Sequence, residues 1–221
     1  MLHRFTFYGY SKGFIHKHIM SNAGLALLLV LAGVVVYLVW DTYYMGKLEY
    51  VRSTVDGRDY QVQSLPDMQA AADLLAKIRQ RLDTLMSHLS KMYPEDERTK
   101  LLQKNFRSDR ISEGAEKEKY TSYSINKGER IVFCIRSRDA SKKLMDLNTM
   151  MFVALHELAH VASTEIGHTE AFWDNFRWLL EEAIQIGIYK EQDFLSKPVP
   201  YCGIMITDSP LNHGTSPNGK E

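Results

Sequence analysis

Between Asp146 and Trp173 the chain reads DLNTMMFVALHELAHVASTEIGHTEAFW, and the four-residue step from His156 to His160 constrains this stretch more than any other feature. Residues four apart stack on one face of an α-helix, so a helix here aims two imidazoles at one point with Glu157 beside them. Met150 to Leu155, just before, are all apolar, which suits a helix buried under a cleft. Burying two histidines and a glutamate there is costly unless something binds them. A zinc ion answers that cost, and a catalytic zinc takes three protein ligands and keeps its fourth position for water. Gly167 offers a helix stop, and His168 directly after it is the expected third ligand. Glu181 and Glu182, in WLLEEA on a following helix, compete for that place; their ordinary role is a solvated helix face.

His156, Glu157, Leu158, His160, His168 and the pair Phe172-Trp173 together resemble the zincin metallopeptidases. Within them the pattern is similar to the small SprT-like and WLM-type group, which carries HE-L-x-H, a short turn, a third histidine and an aromatic soon after. Seven residues separate His160 from His168, which supports the type of site more than a subfamily, and the metzincin spacing does not fit. The resemblance implies an α+β fold: a zincin-like domain in which a small antiparallel sheet packs on the active-site helix. It implies a zinc metallopeptidase acting on a peptide or protein substrate, with His156, His160 and His168 on the metal and Glu157 as general base. It also implies a tyrosine or histidine donor for the oxyanion, for which Tyr201 and His213 qualify by residue type. A deformylase-like hydrolase would need Cys134 as third ligand, and no deformylase-like sequence surrounds it. A membrane-anchored scaffold with a non-catalytic zinc site is the alternative from another class.

A second constraint lies upstream, where Ala23 to Trp40 carries no charged residue and is near the length of a bilayer-spanning helix. Tyr37, Trp40, Tyr43 and Tyr44 gather at its far end as an interfacial belt would. A cleaved signal peptide would have a shorter apolar region ending in small residues, so an uncleaved single-pass transmembrane helix is expected. Residues 1–22 hold Arg4, Lys12 and Lys17 and no acid, which leans towards a cytosolic amino terminus, although lysines and arginines near the two ends are almost balanced.

The organisation that follows is a basic, aromatic segment over 1–22, the membrane helix over 23–40, a juxtamembrane linker with a short strand over 41–65, a zincin-like domain over 66–206 and a disordered tail over 207–221. Pro66 opens a long amphipathic helix whose apolar stripe runs through Met68, Ala71, Leu75, Ile78, Leu82, Leu85 and Leu89. Residues 120–138 read as a hairpin about Asn126-Lys127-Gly128-Glu129. By the resemblance, this hairpin offers the substrate an edge to pair with. Asp146 or Asn148 can cap the histidine helix and Thr169 the next, where Phe172 and Trp173 read as packing for His168.

With 27 basic and 27 acidic residues in 221, no net field draws the chain to nucleic acid. Lys100, Lys104, Arg107 and Arg110 form a basic patch, and relatives that act on DNA-bound protein make it the face to name. Glu95, Asp96, Glu97 and Asp109 are interleaved with it, which favours a solvated surface. Cys134 and Cys202 can pair in an oxidising compartment or stay reduced, and the apolar run around Cys134 favours a buried thiol.

Overall fold

The computed structural model describes residues 22–44, 47–116 and 120–212. They fall into two units: one helix, and a mixed α+β domain with small sheets.

Helix α1, Asn22–Tyr44, has 23 residues. The large apolar side chains between Leu25 and Trp40 are exposed, so this helix hides its apolar surface in no described core. By length and composition it can cross a membrane.

The folded unit starts inside the expected linker. Strands β1, Leu48–Arg52, and β2, Asp59–Gln63, form an antiparallel hairpin. It is domain and not tether because Tyr60 and Val62 on β2 are buried against α2, Met68–Met92. The stripe on α2 lies where its period puts it, with Ala71, Leu75, Ile78, Leu82, Leu85 and Leu89 fully buried. Each such leucine or isoleucine contributes about 2 kcal/mol through burial. Helix α3, Glu97–Asn105, follows, capped by Asp96, whose side chain accepts from the Arg98 amide.

The central sheet is where the expected antiparallel arrangement needs correction. Strands β3, Ile111–Glu113, β4, Ser122–Ile125, and β5, Arg130–Phe133, run in the order β3-β5-β4. β4 and β5 form the expected hairpin about Asn126 to Glu129, while β3 joins β5 in parallel, so the sheet is mixed. Ile131, Val132 and Phe133 on β5 are all buried, so both faces of this strand are covered.

Helix α4, Leu147–Ala162, carries the histidines through the middle of the domain, against α2, α3, β4 and the next helix, α5, Glu170–Gln185. Asp146 is its cap, accepting from the amides of Asn148 and Thr149 at 3.0 and 2.9 Å. The helix ends at Ala162 and not at Gly167: the Ser163 backbone is extended, at φ −100° and ψ 137°, and its hydroxyl donates to the Ala159 carbonyl at 2.7 Å. Gly167, at φ 88°, supplies the later turn that brings the chain round to His168. Thr169 caps α5, its hydroxyl facing the Phe172 amide.

Beyond α5, β6, Val199–Tyr201, and β7, Ile204–Ile206, pair around a Cys202-Gly203 turn in which both residues have positive φ. Cys202 is joined to Cys134 in a disulfide, which overturns the buried-thiol expectation. The apolar run at Cys134 misleads because the partner arrives from a hairpin 68 residues later. Residues 207–212 are also structured: the Pro210 carbonyl accepts from Arg177 Nε on α5 at 2.9 Å.

Candidate metal centre

α4 turns one face towards a cleft of about 620 Å³, bounded on one side by β4 and on the other by the β6–β7 hairpin and the loop before His168. His156, Glu157, His160 and His168 all line it. The three imidazoles each offer a nitrogen, and these nitrogens lie within 4.8 Å of one another. Nε2 of His156 and Nε2 of His168 are 3.3 Å apart. A tetrahedral zinc with nitrogens at about 2.0–2.1 Å has a nitrogen–nitrogen edge of about 3.4 Å, which the His156–His168 pair matches.

Phe172 explains how the rings are held. It is fully buried, and its ring centroid lies 5.0 Å from that of His156, 4.3 Å from His160 and 4.7 Å from His168. Trp173 stands 5.6 Å from the His168 ring. Both aromatics therefore act as packing beneath the imidazoles.

Burial, with the neighbouring imidazoles, pushes His156 down to about 3. His160 is lowered to about 4 by burial first and then by the charges of His168 and Lys127. At neutral pH these two rings are neutral, the form that ligates metal. Glu157, 4% exposed, is pushed by burial up to about 7, where a carboxyl can take up and release a proton.

The rival ligands stand elsewhere. Glu182 is buried on α5, accepting from Tyr93 Oη at 2.7 Å with His88 Nε2 at 2.6 Å, while Glu181 is exposed. Cys134 is taken by its disulfide. His213 lies outside the described residues.

Tyr201 belongs to the cleft. It is 3% exposed, and its hydroxyl is 2.6 Å from the Ser122 hydroxyl on β4. Ser122 Oγ also accepts from the Cys134 amide at 3.2 Å. Burial raises the Tyr201 phenol well above its ordinary range, so it stays protonated. Sequence offers Tyr201 by residue type alone, while nothing in it singles out Ser122; only strand pairing brings them together.

The sequence model of the WLM domain matches residues 57–200. A protein of Acanthamoeba polyphaga mimivirus described as "Uncharacterized protein R325" is 34% identical over 191 residues, covering 85% of this chain and 95% of its own. "Uncharacterized protein 136R" of Invertebrate iridescent virus 6 is 27% identical over 165 residues, covering 73% of this chain and 88% of its own. Among solved structures, Wss1 from Saccharomyces cerevisiae is similar at 17% identity and a TM-score of 0.41, covering 57% of this chain and 87% of that one. The domain model spans the folded unit from the β1–β2 turn to β6, and on that match the chain belongs to the WLM domain family.

Proposed function

We propose that this chain is a zinc metallopeptidase tethered to a membrane by α1. One juxtaposition supports the reading most: three imidazoles close enough to share an ion, beside the buried carboxyl of Glu157, in a cleft bordered by a strand edge. His156, His160 and His168 hold the metal in this reading, three protein ligands being the number that leaves one position open. When bound, zinc supplies a Lewis acid for the scissile carbonyl and brings the pKa of a water towards neutrality.

The remaining work falls to the chain. No described strand pairs with the outer edge of β4, so a substrate backbone can add there as a further antiparallel strand. Such pairing reads main chain and tolerates varied sequence. Glu157 accepts a proton from water as its oxygen bonds to the carbonyl carbon, then delivers it to the nitrogen as the C–N bond breaks. Ser122 Oγ accepts from the Cys134 amide, which leaves its own proton to donate to Tyr201 Oη. The Tyr201 proton is then available to the carbonyl oxygen as that oxygen gains charge. A Cys134–Cys202 disulfide suits a domain on the oxidising side of its membrane, in keeping with a cytosolic amino terminus.

The test uses the full-length chain in detergent. Wild type should carry about one zinc per molecule, lost in H156A, H160A and H168A but kept in E181A. E157Q should keep its zinc while peptide cleavage falls by about a thousandfold. Cleavage that survives E157Q refutes the base assignment. A wild-type chain that holds zinc yet cleaves nothing in a broad peptide library points to a scaffold with a non-catalytic site.

A further inference from the structure

The loop from Ser163 to His168 must present an imidazole accurately from a stretch whose residues 164–168 are exposed. Part of what holds it comes from another element. Lys127, in the β4–β5 turn, extends its ammonium to the end of α4, where Nζ donates to the carbonyls of Ser163 at 2.9 Å, Thr164 at 2.6 Å and Glu165 at 3.1 Å. These carbonyls belong to the cap residue and the two that follow it, just past the negative end of the α4 dipole, where a cation is favoured, and one ammonium has three protons to give them.

The turn is shaped for this reach. Asn126 and Lys127 both adopt positive φ, 47° and 53°, in the region non-glycine residues rarely enter. Gly128 follows, and a Cβ there would stand 2.9 Å from Val161 Cγ1, so the turn backbone lies directly on α4. On the far side of the loop, Asn175 Nδ2 donates to the Ser163 hydroxyl at 2.9 Å. Asn175 and Ser163 fix where the loop starts, and Lys127 fixes the next two carbonyls of its course.

We propose that Lys127 is a positioning residue, whose bonds to the Ser163, Thr164 and Glu165 carbonyls set where the His168 imidazole stands relative to His156 and His160. The proposal rests on reading the three imidazoles as a zinc site. It makes an edge-strand turn, about forty residues before His168 in the chain, part of the support for that ligand. Partners hydrogen-bonded to metal ligands themselves characteristically govern affinity by about 10- to 100-fold, and a group that holds the ligand's loop is expected at the lower end of that range.

The sign of the effect separates positioning from simple charge. Lys127 is close enough to act electrostatically on His160, and a cation there repels a dication. Charge alone therefore has K127M, which keeps the aliphatic stem, binding zinc more tightly. Positioning has it binding more weakly.

The experiment measures zinc affinity of the full-length chain in detergent by competition with a chromophoric chelator, alongside urea unfolding of the metal-free form. Expected are at least about tenfold weaker zinc binding in K127M, a nearly unchanged metal-free midpoint, and recovery of most of the affinity in K127R. Equal or tighter zinc binding by K127M overturns the proposal and leaves the peptidase reading standing. A loss matched by collapse of the metal-free midpoint and not rescued by arginine also overturns it, since lysine is then a general prop of the fold. A wild-type chain with no zinc affinity removes both.

Discussion

Cutting the Cys134–Cys202 bond gives the most direct quantitative test of how the cleft wall is held. The bond closes a loop of 68 residues that contains all of α4 and α5. In the chain-entropy account, a loop of that length restricts the unfolded ensemble by about 4 kcal/mol. Unfolding slopes in urea near 2 kcal/mol per molar turn this into a midpoint about 2 M lower. The comparison has two arms: oxidised against reduced wild type, which leaves both sulfur atoms present, and wild type against C134A/C202A. Mass analysis with and without reductant establishes the bond first. The reduced form should unfold at the lower midpoint, and the double variant should fall at or slightly below it, because Cys202 is 2% exposed and loses packing as well. A midpoint that moves by less than about 0.5 M in both arms refutes the reasoning, since loop closure would then contribute little to this fold.

Three further expectations follow from single contacts. G128A should destabilise the domain by about 2 kcal/mol or more, because φ is 109° and the new methyl would meet Val161 at 2.9 Å and the Asn105 carbonyl oxygen at 3.2 Å; urea unfolding measures it. Stripping zinc with a chelator should lower the thermal midpoint: with free zinc at about a hundred times its dissociation constant, bound metal contributes about 2.7 kcal/mol, roughly 5–10 °C for a chain of this size. Y201F should reduce kcat by about a hundredfold with KM and zinc content little changed, and steady-state kinetics showing a KM effect instead would assign Tyr201 to substrate binding.

The parts of the fold legible in sequence share one property: their period is local. The α2 stripe from Ala71 to Leu89, the Asp146 and Thr169 caps and the β4–β5 turn each follow from residues within a few positions of one another. The β1–β2 hairpin is harder to see, because its burial comes from α2 and not from its own pattern. β3 carries only three residues and joins the sheet in parallel, a pairing that no local turn announces. Least legible is the buried charge. Glu113 and Arg136, 1% and 3% exposed, pair at 2.7 Å, and Glu113 also accepts from the Gln63 amide at 2.7 Å while Arg136 reaches Asp67. A lone acid or base in sequence reads as surface, and its partner is known only after the chain is folded.

That contrast explains why the candidate site stands out while its surroundings do not. Glu113 meets the cost of burial with partners from distant elements, so neither residue alone looks unusual. His156, Glu157 and His160 sit on one helix with apolar neighbours on both sides, so the mismatch between charge and surroundings is already visible within five residues. His168 is within reach of the same argument because its loop is short. Lys127 and Ser122 are not: each lines the cleft and makes a hydrogen bond that exists only once the β4–β5 hairpin meets the loop after α4 or strand β6. The burial cost of the candidate site can therefore be read from the helix that carries it, whereas the groups packed around it require the fold.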